Sequence, residues 1–200
     1  MSYSSNIHRL LQILNKILVV IFVFFSLNSC LVTNHGNTKK SETAGYLKYT
    51  NKHLRYSALI PEGWIGKMSI GGSYNVIPNS KNTASITFRS SKFEQFSSIE
   101  NRENLNLETL KNYFLSITTE EQIGPEFESN IKETTLSGQK AYRLEYTYVP
   151  KSLNKKLYQV KIFTINNGRV FSIYYYANID NYKTYQKEFE VALNTYKILK

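Results

Sequence analysis

His53 is the only histidine in residues 46–200, so any nucleophilic triad in that stretch must be built on it. No Gly-x-Ser-x-Gly elbow accompanies it, and His35 lies in a polar stretch ahead of the first apolar alternation. His53 therefore reads as a solvated residue at the start of a strand. The carboxylate pairs Glu120-Glu121 and Glu126-Glu128 offer acid–base or calcium chemistry, but "TTEEQIGPEFES" lacks the alternating Asp/Asn/Gly pattern of a calcium loop. Gly71-Gly72 in "KMSIGGSYNVIP" has neither a P-loop Lys-Ser/Thr nor a third dinucleotide glycine, and fits a turn or bulge. No catalytic residue, metal ligand or cofactor is expected, and the chain reads as a non-enzyme.

The charge distribution points to binding instead. The 200 residues carry 25 Lys and Arg against 15 Asp and Glu, a formal charge of +10. Between Glu145 and Asp180 no acid occurs, while Lys151, Lys155, Lys156, Lys161 and Arg169 all fall there. The loop "VPKSLNKKLY" in that interval is a candidate contact for an acidic protein or anionic headgroups. The plainer alternative is a solvated hairpin loop. Sixteen tyrosines also invite a stacking surface for sugars or nucleobases. Most of them fall on faces that alternation assigns to a core, which leaves Tyr174 and Tyr176 as candidates for such a surface.

The one cysteine, Cys30, ends an apolar segment over residues 17–27 that follows Arg9 and Lys16. Basic residues first, then a short apolar run, then small residues is the order of a secretory signal peptide. The run is well short of the roughly 20 residues that span a bilayer core. Leu27-Asn28-Ser29-Cys30 resembles the lipobox of bacterial lipoproteins, with Leu three places before the cysteine and a small residue directly before it. The resemblance implies cleavage after residue 29, diacylglycerol on the Cys30 thiol and a membrane anchor on the extracytoplasmic side. Leu31, where an Asp would favour inner-membrane retention, points to the outer membrane of a double-membraned cell. Export argues against a nucleic-acid partner, and a consumed Cys30 leaves no thiol for a disulfide.

Residues 31–45 are polar and small and read as a flexible tether, with one domain following over residues 46–200. In "LRYSALIP", "TASITFR", "KAYRLEYTY" and "LYQVKIFTI" apolar residues alternate with polar ones, the signature of half-buried strands. "RVFSIYYYA" is apolar on both sides and belongs in the middle of a sheet. Asn167-Gly168 supplies the turn that pairs residues 157–165 with 169–177 antiparallel. "NLETLKNYFLSIT", with Asn106 as N-cap, and "NIDNYKTYQKEFEVALNTYKIL", capped by Asn178 or Asp180, are predicted amphipathic helices. The order predicts an α+β domain, an antiparallel sheet flanked by helices.

That order, from "YSALIPEGW" through "TTLSGQKAYRLEYTY" and "YQVKIFTINNGRVFSIYYYAN" to "FEVALNTYKIL", resembles the PsbP-like family. The resemblance implies an antiparallel sheet between helical layers, an α/β/α sandwich, and the role of a non-catalytic accessory to a larger assembly. The family includes extrinsic subunits of photosystem II and the lipoprotein DcrB. The expected protein is a membrane-anchored extracytoplasmic accessory; a photosystem II-associated subunit and a cell-envelope enzyme are the alternatives.

Overall fold

The computed structural model describes residues 36–69, 72–79, 84–121, 129–149 and 155–200. Cys30, Gly71, Lys151 and the carboxylates Glu126 and Glu128 lie outside them, as do the expected signal peptide and lipid anchor. The described chain is an α+β structure with two antiparallel sheets. Strands β1 (Asn37–Lys40), β2 (Tyr46–Asn51) and β3 (Tyr56–Pro61) form the smaller sheet, which β11 (Lys197–Ile198) completes beside β3. β1 lies within the segment read as a tether, and its four exposed residues pair with β2 as an edge strand.

The larger sheet contains β4 (Ile65–Met68), β5 (Ser73–Ile77), β6 (Ala84–Lys92), β7 (Ser129–Leu136), β8 (Gln139–Tyr148), β9 (Leu157–Asn166) and β10 (Arg169–Asn178). Their order across it is β4-β5-β6-β10-β9-β8-β7. The strand predicted to be central, β10, is the fourth of the seven. Its hairpin with β9 turns at Asn167 and Gly168, whose φ angles of 46° and 69° supply the left-handed pair that a type I′ turn requires.

Side-chain alternation divides the apolar residues of β10 between two cores. Phe171, Ile173, Tyr175 and Ala177 face a core shared with β2, β3 and the helix α2 (Gln186–Asn194), whose Phe189 and Ala192 are fully buried. Val170 faces the opposite core, where helix α1 (Leu107–Glu121) lays Leu110 and Phe114 on Tyr142, Leu144 and Phe163. The Asn106 side chain accepts the Thr109 N–H at 2.9 Å, the predicted cap. The layers are thus α1, the large sheet, and a third layer combining α2 with the small sheet. A single sheet between helices was expected; the additional sheet is the difference.

The second predicted helix is shorter than its apolar stripe. Residues Ile179–Tyr185 form a 3₁₀ segment, capped by the Asn178 side chain, with non-helical φ/ψ at Asn181. There the Tyr175 hydroxyl donates to the Tyr182 carbonyl at 2.6 Å and takes that acceptor from the helix. At the other end Thr195 Oγ1 donates to the Val191 carbonyl at 2.7 Å and accepts the Leu59 N–H of β3 at 3.0 Å. The chain turns there, and Lys197 and Ile198 pair with Ser57 and Tyr56 rather than continuing the helix. Tyr196 still reaches the core, stacked on Tyr56 at 5.6 Å.

Candidate functional site

Helix α1 covers only half of its sheet face, and the composition of the strands explains where it stops. Over β8 and β9 it meets Tyr142, Leu144 and Phe163, whose burial is favourable. On β5 and β6 the same face presents Ser73, Asn75, Ser85, Thr87, Arg89 and Ser91. An apolar helix stripe would strip water from these groups without replacing their hydrogen bonds. The uncovered half is a cavity of about 580 Å³, within the range of small-molecule sites.

The strand register sets the floor. Asn75, Thr87, Tyr174 and Lys161 form one row across β5, β6, β10 and β9. Ser73, Arg89 and Ser172 form the row beside it, and Ser85, Tyr176 and Gln159 the row on the other side. Short serine and threonine side chains make the floor concave, while Tyr113 and Ile117 of α1 and Tyr146 and Tyr148 of β8 wall it. Thr87 Oγ1 donates to Asn75 Oδ1 at 2.8 Å, Arg89 Nε to Ser91 Oγ at 2.9 Å, and Ser172 Oγ to the Tyr174 hydroxyl at 3.2 Å. The rings of Tyr174 and Tyr176 lie 6.1 Å apart at 17°.

Burial pushes the Tyr174 hydroxyl pKa up, against the hydrogen bond from Ser172 and the pull of the Arg89 guanidinium. Lys161 is 6 % exposed, its ammonium 4.1 Å from the Phe114 ring centroid and 5.2 Å from that of Tyr174. These are cation–π distances in a largely dry setting. Among the described lining residues Arg89 and Lys161 are the charged groups, with no Asp or Glu.

Of the basic residues singled out in the sequence, the described ones, Lys155, Lys156, Lys161 and Arg169, stand at separate places in the fold. Lys155 and Lys156 stand just before β9, at the opposite end of the hairpin from Arg169, and a ten-residue strand separates them by roughly 30 Å. Arg169 donates from Nε to Ser90 Oγ at 2.9 Å. Lys161 is on the sheet face under α1, because position 161 alternates inward with Gln159 and Phe163. His53 is exposed in the turn between β2 and β3. Among the described residues no three of His, Cys, Asp and Glu are grouped to hold a metal, and no helix is long and apolar enough to cross a membrane.

Tyr174 and Tyr176, the tyrosines left over for a surface, both line the cavity. Arg89, Gln159 and Ser172 were not anticipated. The alternation of "TASITFR" put Arg89 on a polar face, but nothing local distinguishes a polar face that meets bulk water from one that floors a cavity.

A second charged cluster lies on the opposite sheet face and is structural. Arg143 pairs with Glu145 and, at 3.3 Å, with Glu190 of α2, while the Tyr158 hydroxyl donates to Glu145 at 3.0 Å. Burial works to raise the Glu145 carboxyl pKa, but Arg143, Tyr158 and Lys132 hold it below the usual value.

The family model of PsbP matches residues 44–198. Among solved structures, cyanobacterial PsbP (CyanoP) from Synechocystis is 17 % identical with a TM-score of 0.54, covering 82 % of this chain and 98 % of that one. The Ran-binding protein Mog1p of Saccharomyces cerevisiae is 10 % identical with a TM-score of 0.50, covering 82 % and 96 %. LpqN of Mycobacterium tuberculosis, involved in cell envelope biogenesis, is 13 % identical with a TM-score of 0.46, covering 83 % and 91 %. At these identities the CyanoP and Mog1p likenesses show the fold alone. No curated protein matches the sequence significantly.

Proposed function

The chain belongs to the PsbP family, and on that premise we propose that it is a non-catalytic binding accessory, anchored through Cys30 to the extracytoplasmic side of a membrane. The cavity beside α1 carries the binding part of this reading. It is large enough for a ligand or an inserted side-chain cluster, lined by hydroxyl, amide, aromatic and cationic groups. Its described lining contains no Asp, Glu, His or Cys. The anchor rests on the order Arg9, Lys16, residues 17–27 and Leu27-Asn28-Ser29-Cys30. Several acyl chains at about 0.8 kcal/mol per buried methylene would make it effectively permanent.

Two measurements test the reading. Intact mass and fractionation of the wild type beside Cys30→Ala should show a diacylglyceryl-modified, membrane-bound wild type and a released or unprocessed variant. A soluble wild type with an unmodified thiol overturns the anchor. For the binding part, envelope components cross-linked to the full chain are compared between wild type and Tyr176→Ala. Loss of a specific cross-link supports the cavity as the binding surface, and an unchanged set overturns it.

A further inference from the structure

We infer that the cavity beside α1 binds a small hydroxylated carboxylate, the chemistry of a sugar acid, with the carboxylate held between Arg89 and Lys161. The inference rests on the reading of this cavity as the binding surface. Both cations line the cavity on either side of β10: Arg89 stands on β6 opposite Ser172, one row from Tyr174, and the Lys161 ammonium on β9 lies 5.2 Å from the Tyr174 ring. Arg89 spends Nε on Ser91, which orients the planar fork, and such a fork matches a carboxylate in two parallel hydrogen bonds.

The rest of the floor reads hydroxyl groups. Gln159 is buried and lines the cavity. An amide offers two donors and an acceptor, a good match to vicinal hydroxyls that each give and take a proton. Beside it the half-buried Tyr176 supplies a ring face for the C–H surface of a pyranose. Thr87 and Asn75, already hydrogen-bonded to each other, form a fixed polar rim. The volume of about 580 Å³ accommodates one or two sugar rings.

A phosphorylated ligand fits less well. Phosphate sites draw on backbone N–H groups at a helix N-terminus or a glycine-rich loop. Among the described lining residues there is no glycine, and the α1 residues present, Tyr113, Phe114 and Ile117, come from its middle.

Calorimetric titration of the full-length chain in neutral detergent with glucuronate, galacturonate, glucose and glucose 6-phosphate tests the inference. At least one uronate should bind, glucose should bind at least roughly tenfold more weakly, and Arg89→Gln should weaken the uronate by roughly tenfold or more at an unchanged melting temperature. No uronate binding, equal binding of glucose, tighter binding of glucose 6-phosphate, or an unaffected Arg89→Gln variant each overturns it. If the uronates fail while Tyr176→Ala still abolishes the envelope cross-link, the ligand class falls and the site stands. If that cross-link persists, the site itself falls.

Discussion

The Lys161 ammonium sits 4.1 Å from the centroid of the Phe114 ring, so a lysine from the basic interval of the sequence is part of the contact between α1 and the large sheet. This couples the charge of the cavity to the packing of the helix beside it. Lys161→Met keeps the stem and loses the cation, and should change unfolding free energy by no more than about 1 kcal/mol. Lys161→Glu places a carboxylate against the same ring face in a dry site and should cost about 3 kcal/mol or more. Urea denaturation of the two variants separates a packed cation from a solvated one; equal stabilities would mean that the residue is solvated.

Phe189 is the anchor of α2. Its ring is fully buried and stacks on Tyr175 at 5.2 Å and 17°. Phe189→Ala removes a large aromatic from a closed core and should cost about 3–5 kcal/mol. A chemical denaturation midpoint close to that of the wild type would contradict the placement of α2.

Gly66 on β4 is required by its neighbour. A Cβ there would lie 1.9 Å from the Tyr74 hydroxyl, and Tyr74 is stacked on Tyr49 at 3.9 Å and 3°. The ring has little freedom to withdraw without leaving that stack. Gly66→Ala should destabilise by about 1–3 kcal/mol, as overpacking does. The double variant Gly66→Ala, Tyr74→Phe should recover part of the loss in thermal melts, since the clashing hydroxyl is gone.

Acid should loosen the contact between β8 and α2. The folded-state pKa of Glu145 lies below its ordinary value of 4.5, so its ionisation stabilises the fold above that value. The contribution is lost as pH falls from about 4.5 through the folded-state pKa. Glu145→Gln should flatten this part of the stability-versus-pH curve. An acid limb identical to that of the wild type would assign it to other carboxylates.

The elements were legible in the sequence because a strand's side chains alternate faces and a helix's do not. "KAYRLEYTY" and "LYQVKIFTI" became β8 and β9, Asn167-Gly168 became the hairpin turn, and Asn106 capped α1. The end of α2 was not legible. The stripe from Phe189 to Tyr196 has helical spacing, yet the Leu59 N–H from a strand more than a hundred residues earlier stops the helix at Thr195.

Alternation along β6, β9 and β10 determined which residues share a face, and the proposed anchor at Cys30 rests on the sequence alone. Tertiary structure alone decided that Arg89, Lys161, Tyr174 and Tyr176 surround one cavity. The reason is physical. A polar sheet face looks the same in sequence whether it meets water or a recess, and only where the apolar stripe of α1 finds Tyr142, Leu144 and Phe163 is it settled which half stays open.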